Sequence, residues 1–156
     1  MSSRTTNDGN SGLHASGKVS KGVGPIGDGV YKVDELRACR KNSYLVHWTG
    51  WSDEADSWVH KRDISKDLIK HFHNVKNFKW QYRSHKDENK WYDFHASNNK
   101  EVEDFFTKWC EDAGAPCYMQ FTVPNTRRTY SVTVGDKFLQ RNIFNQKTRI
   151  IRRIPS

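Results

Sequence analysis

Val30-Tyr31-Lys32-Val33-Asp34, Tyr44-Leu45-Val46-His47-Trp48-Thr49-Gly50-Trp51 and Asp56-Ser57-Trp58 are the segments on which the fold turns. They alternate apolar and polar side chains, the period-two pattern of strands lying on a core. Val30–Arg40 and Tyr44–Trp48 read as two strands joined by the polar turn Lys41-Asn42-Ser43, and Thr49-Gly50 turns the chain toward a short third strand at Trp58-Val59. From Ile64 the period changes. Leu68, Ile69 and Phe72 fall on one helical face, and Ser65 stands where an N-cap belongs. Three curved strands closed by a C-terminal helix make one small α+β unit ending near His73. Tyr31 on the first strand, with Trp48 and Trp51 on either side of a glycine turn, supplies the walls of an aromatic box. Such a box holds quaternary or methylated ammonium groups by cation–π attraction, and methylation of lysine enlarges the head group while keeping its charge.

A second unit begins almost at once. Phe78–Tyr82 alternates as a strand, Lys86–Lys90 is a charged turn, and Trp91–Phe94 is the returning strand. Asn98 to Cys110 carries Val102, Phe105, Phe106 and Trp109 at helical spacing, with Ser97 and Glu101 near its start. Tyr118–Val123, Arg128–Val134, Phe138–Asn142 and Thr148–Ile154 read as further strands. Trp80, Trp91 and Phe105 are assigned to the core of this unit. Residues 1–28 are rich in Ser, Gly, Thr and Asn with few apolar side chains, a composition that predicts a disordered tail.

The chain has 156 residues, 13% of them aromatic, and a net charge of +8. That length suits two small domains whose cores lean on rings, and the charge favours anionic partners. Between positions 127 and 153 the bases Arg127, Arg128, Lys137, Arg141, Lys147, Arg149, Arg152 and Arg153 face a single acid, Asp136. Three cysteines, Cys39, Cys110 and Cys117, without a CxxC pair argue against a zinc site or a disulfide framework and fit a reduced compartment. No apolar run is long enough to span a bilayer, so no membrane partner is expected. No nucleophile, base and orienting group stand at suggestive spacing. The expectation is a protein with no enzyme activity, no metal and no cofactor.

The first set of segments, with Ser52-Asp53-Glu54 and Asp67-Leu68-Ile69-Lys70-His71-Phe72, resembles the chromodomain over about residues 29–74. The resemblance implies a methyl-lysine cage of Tyr31, Trp48 and Trp51, with Trp58 as the family's buried tryptophan. It also implies a histone-type peptide that adds as a strand between Val30–Val33 and the stretch around Asp63. Two positions depart from the pattern: Ala55 stands where many members carry an acid, and Val59-His60 replaces Glu-Pro, as in the related chromo-barrel branch. Without an acid at 55, selection of trimethyl-lysine rests less on hydrogen bonding and more on ring contact.

Trp80-Gln81-Tyr82, Trp91-Tyr92, Glu101-Val102-Glu103, Tyr130, Gln140-Arg141-Asn142 and Thr148-Arg149-Ile150-Ile151-Arg152-Arg153 resemble the WWE domain, which is assigned residues 75–156. The resemblance implies a half-open barrel with one helix, binding ADP-ribose or poly(ADP-ribose). Carried over by motif, Tyr82, Tyr130 and Gln140 meet the adenine and Arg149 meets a phosphate, with Arg141 and Arg153 adding charge nearby. The two resemblances together imply a chromatin-associated reader in the nucleus. The alternatives are a nucleic-acid binder using the basic C-terminal strands, and an interaction scaffold with both pockets unused.

Overall fold

The computed structural model describes residues 19–24 and 27–156. The chain divides into two compact units, with the boundary between Lys76 and Asn77. Both are α+β.

In the first unit, β1 (Val19–Gly24), β2 (Gly27–Arg40), β3 (Ser43–Trp48) and β4 (Ser57–His60) form one antiparallel sheet in sequence order. α1 (Lys66–Asn74) packs on β2, and Ser65 Oγ caps it by accepting the Leu68 amide at 3.2 Å. Register shifts between Val33 and Glu35 and between Leu36 and Ala38 mark bulges in the long β2. Bulges of this kind bend a strand and increase its twist, which lets one strand of 14 residues curve around the core. That core is Val33, Leu36, Tyr44, Val46, Trp48, Val59, Ile64 and Leu68, with Tyr31, Cys39, Ile69 and Phe72 packed against it.

Two expectations change here. Residues 19–24 and 27–28, placed by composition in a disordered tail, are strand, and the sheet has four strands in place of three. Residues 1–18 of that tail lie outside the described residues. A ladder is made by backbone groups, so a segment poor in apolar side chains still satisfies the open edge of β2. The deeply buried tryptophan is also Trp48, where Trp58 was expected to be. Val59 stands opposite Tyr44 and Trp58 opposite Leu45. Paired residues share a face, so Tyr44, Val46, Trp48 and Val59 point into the core while Trp58 lies on the other face. Trp48 is accordingly fully buried and Trp58 only half-buried.

The second unit is a six-stranded antiparallel sheet. Its strands are β5 (Phe78–Arg83), β6 (Trp91–Asp93), β7 (Tyr118–Thr122), β8 (Thr129–Thr133), β9 (Leu139–Asn142) and β10 (Thr148–Pro155), in the order β6-β5-β10-β9-β8-β7. β10 changes partner along its length: Thr148–Ile150 pair with β9 and Ile151–Pro155 with β5. The single long helix of this unit, α2 (Ala96–Glu111), buries Asn98, Val102, Phe106 and Trp109. Its N-cap is His95, which accepts the Ser97 amide at 3.3 Å. Trp80 is fully buried, with ring centroids 5.2 Å from Phe106 and 5.7 Å from Phe138. Trp91 and Phe105, expected in the core, are half-buried, and the Arg152 guanidinium covers the Trp91 ring at 4.1 Å. Glu103 fastens α2 to the sheet, accepting Trp80 Nε1 at 2.9 Å and two hydrogen bonds from Arg153. Among the described residues no helix is long and apolar enough to cross a membrane.

Candidate functional sites

Tyr31 and Trp48 meet on the first unit with ring centroids 6.0 Å apart and planes at 75°, two walls at nearly a right angle. Trp48 is anchored by donating its Nε1–H to Ser57 Oγ at 3.0 Å. The Trp51 amide donates to the Trp48 carbonyl at 3.1 Å, closing a tight turn whose third residue, Gly50, has φ of 82°. That sign at that position defines a type II turn and is the reason a glycine sits there. Trp51 emerges from the turn 39% exposed, whereas Tyr31 is half-buried. Trp48 thus serves the core first and presents no open face, while Trp51 is the accessible ring of the three.

The acids after Trp51 have a partner of their own. Arg37, buried on β2, pairs with Glu35, Asp53 and Asp56. Burial alone would lower its pKa, but Asp56, Glu35 and Asp53 together outweigh that and hold it above the usual arginine value. His47 Nδ1 lies 2.7 Å from the other oxygen of Asp56. His47, Asp53 and Asp56 are close enough together to suggest a metal site; the Arg37 guanidinium already supplies the cation there.

In the second unit Tyr82, Tyr130, Gln140 and Arg149 line one cavity of about 390 Å³, together with Asp93, Phe94, His95, Asn98, Phe121, Val123 and Arg128. The four sequence-predicted residues reach it from β5, β8, β9 and β10. The Arg149 guanidinium stacks 4.2 Å from the Tyr82 ring centroid and 5.4 Å from that of Tyr130, and it donates to Tyr130 Oη at 3.3 Å. Gln140 is 3% exposed and Asn98 2% exposed, and Gln140 Oε1 and Asn98 Oδ1 have no hydrogen-bond partner. A buried acceptor without a donor is costly. Both residues line the cavity, with these two oxygens closed off from solvent in its wall. Asn98 fixes its own orientation by donating from Nδ2 to Glu101 at 2.7 Å and to the Thr122 carbonyl at 3.1 Å.

Asn98, Arg128 and His95 were absent from the sequence-based site. Asn98 has the look of an ordinary polar residue in the first turn of a helix, and only its burial against β7 marks it. Arg153, expected to add charge near the phosphate, is 8% exposed and committed to Glu103 and to the Phe78 ring. His85, exposed, has a pKa lowered first by desolvation and then by the charges of Arg149 and Lys147.

Comparison with known families assigns both halves. The family model of the Chromo (chromatin organisation modifier) domain matches residues 30–75, and that of the WWE domain matches residues 78–153. No curated protein and no solved structure gives a significant match to the chain. Domains of these two kinds are typically non-catalytic binding modules. With Tyr31, Trp48 and Trp51 in the first match and the lined cavity in the second, the chain carries a Chromo domain followed by a WWE domain.

Proposed function

We propose that the protein is a non-catalytic, chromatin-associated reader in the nucleus, joining recognition of a methylated histone-type lysine to recognition of ADP-ribose or poly(ADP-ribose). The observation that carries the reading is the cavity in the second unit. Its volume lies within the range of small-molecule sites, roughly 300–1,000 Å³. It offers aromatic faces for a base, two buried acceptors for an exocyclic amine, and Arg149 and Arg128 for phosphate. Arginine suits that task because its planar fork of donors matches phosphate oxygens. Titration of the whole protein with iso-ADP-ribose by calorimetry tests it; no heat and no NMR shift at millimolar ligand would overturn it. In the first unit, the exposed Trp51 and the half-buried Tyr31, with Trp48 backing Tyr31 from the core, support a methyl-lysine cage, and a methylated-peptide array tests that half.

A second reading is favoured by the exposed Arg127, Arg128, Lys137, Arg141 and Lys147. Such a surface suits a nucleic-acid backbone. The two separate by salt: a diphosphate in a pocket loses affinity gently with added salt, whereas a strand contacting many phosphates loses it steeply.

A further inference from the structure

A peptide reaching the cage of the first unit by strand addition needs the outer edge of β2 around Tyr31. In this structure that edge is taken. β1 pairs with β2 over six residues, Val19 opposite Lys32, Ser20 opposite Tyr31 and on to Gly24 opposite Gly27. Its other side runs beside the 3-10 turn Lys61–Asp63, the second border of the slot expected for the ligand. The ladder shows which groups are engaged. Lys32 turns its carbonyl toward β3, where it accepts the Thr49 amide at 2.9 Å. Backbone groups alternate in direction along an antiparallel strand, so those of Tyr31 and Gly29 face β1. These are the groups that an added strand would use.

We propose that Val19–Gly24 is a resident strand that occupies the peptide slot of the Chromo domain and competes with any incoming strand. The proposal rests on the peptide-reader half of the function above. Only residues 25 and 26 separate β1 from β2, so the tethered segment returns to its slot at a high effective concentration whatever the affinity of its own contacts. A free peptide then binds only the fraction of molecules with the slot open, and its apparent affinity falls by that fraction.

The test uses the full chain with Ser20→Pro and Gly22→Pro together, removing the two β1 amides that stand opposite Tyr31 and Gly29 while leaving β2, β3 and β4 untouched. A trimethyl-lysine histone-type peptide is titrated into both proteins by calorimetry. The variant is expected to bind on the order of tenfold more tightly, as a slot open about a tenth of the time requires. Equal binding to both proteins would sink the resident strand alone; binding to neither would sink the peptide-reader reading itself. Hydrogen exchange supplies a readout independent of any ligand. The Gly29 and Tyr31 amides should be protected in the parent and exposed in the variant, and fast exchange of both in the parent overturns the proposal.

Discussion

Arg149 sits over Tyr82, its guanidinium carbon 4.2 Å from the ring centroid, with Tyr130 Oη accepting a hydrogen bond from the same group. The cation is held in place before any ligand arrives, so the phosphate of the proposed ligand would meet an oriented donor fork. Arg149→Ala is expected to weaken ADP-ribose-type binding by about tenfold or more, since a hydrogen bond to a charged group contributes roughly 1.5–3 kcal/mol. Calorimetry with iso-ADP-ribose checks this. Arg149→Lys, which keeps charge but loses the planar stack, should recover only part of the loss.

In the proposed reading, the unpartnered acceptors Asn98 Oδ1 and Gln140 Oε1 are the groups that would meet the edge of the base. An adenine-type amine relieves them; a carbonyl in its place opposes them. The hypoxanthine analogue of the same ligand should therefore bind about tenfold or more weaker, from a penalty of roughly 1–3 kcal/mol for a buried acceptor left facing another. Equal affinity for the two analogues would show that neither acceptor meets the base edge.

Trp48 and Trp51 should separate by what their removal damages. Trp51→Ala takes away a ring that is 39% exposed, so methyl-peptide affinity drops several-fold while thermal stability barely moves. Trp48 is fully buried, and Trp48→Ala should destabilise the first unit by about 3–5 kcal/mol. Melting curves and peptide titrations on both variants distinguish the two roles. A ring that served only as an exposed cage wall would be removable without harm to the fold, and the full burial of Trp48 makes it part of the core instead.

His85 gives a pH dependence. Its pKa in the free protein is lowered, first by desolvation and then by Arg149 and Lys147. A bound diphosphate offsets those positive charges and raises the pKa. The group then takes up a proton on binding, so affinity rises as pH falls through the bound-state value and is flat well above it. Calorimetry in buffers of different ionisation enthalpy should show proton uptake, and His85→Ala should abolish it.

How much of this was legible in sequence follows from the range of the interactions. The helix under Ser65 and the strand pairs on either side of short turns depend on neighbours a few residues away, and their periodicity is plain. Tyr82, Tyr130, Gln140 and Arg149 were readable as a group through family motif, although four different strands bring them together. Three features were not readable. β1 forms from backbone pairing, which leaves little trace in composition. The deeper burial of Trp48 over Trp58 depends on which face of β3 and β4 meets the core, and a one-residue difference in parity decides it. Asn98 is defined by a contact with Thr122, which lies 24 positions away in the chain.

Glu103 lies outside the lining of the cavity, yet it receives both Trp80 on β5 and Arg153 on β10. Those two strands carry Tyr82 and Arg149, and the helix that bears Glu103 also carries Asn98. Loss of this one carboxylate strands two donors and loosens three walls together. A screen for variants defective in ligand capture should therefore recover Glu103 beside Arg149, and only a stability measurement would tell the two kinds of hit apart. Substitutions at Trp80 and Arg153 should also fail to add, because each removes a partner of the same acceptor.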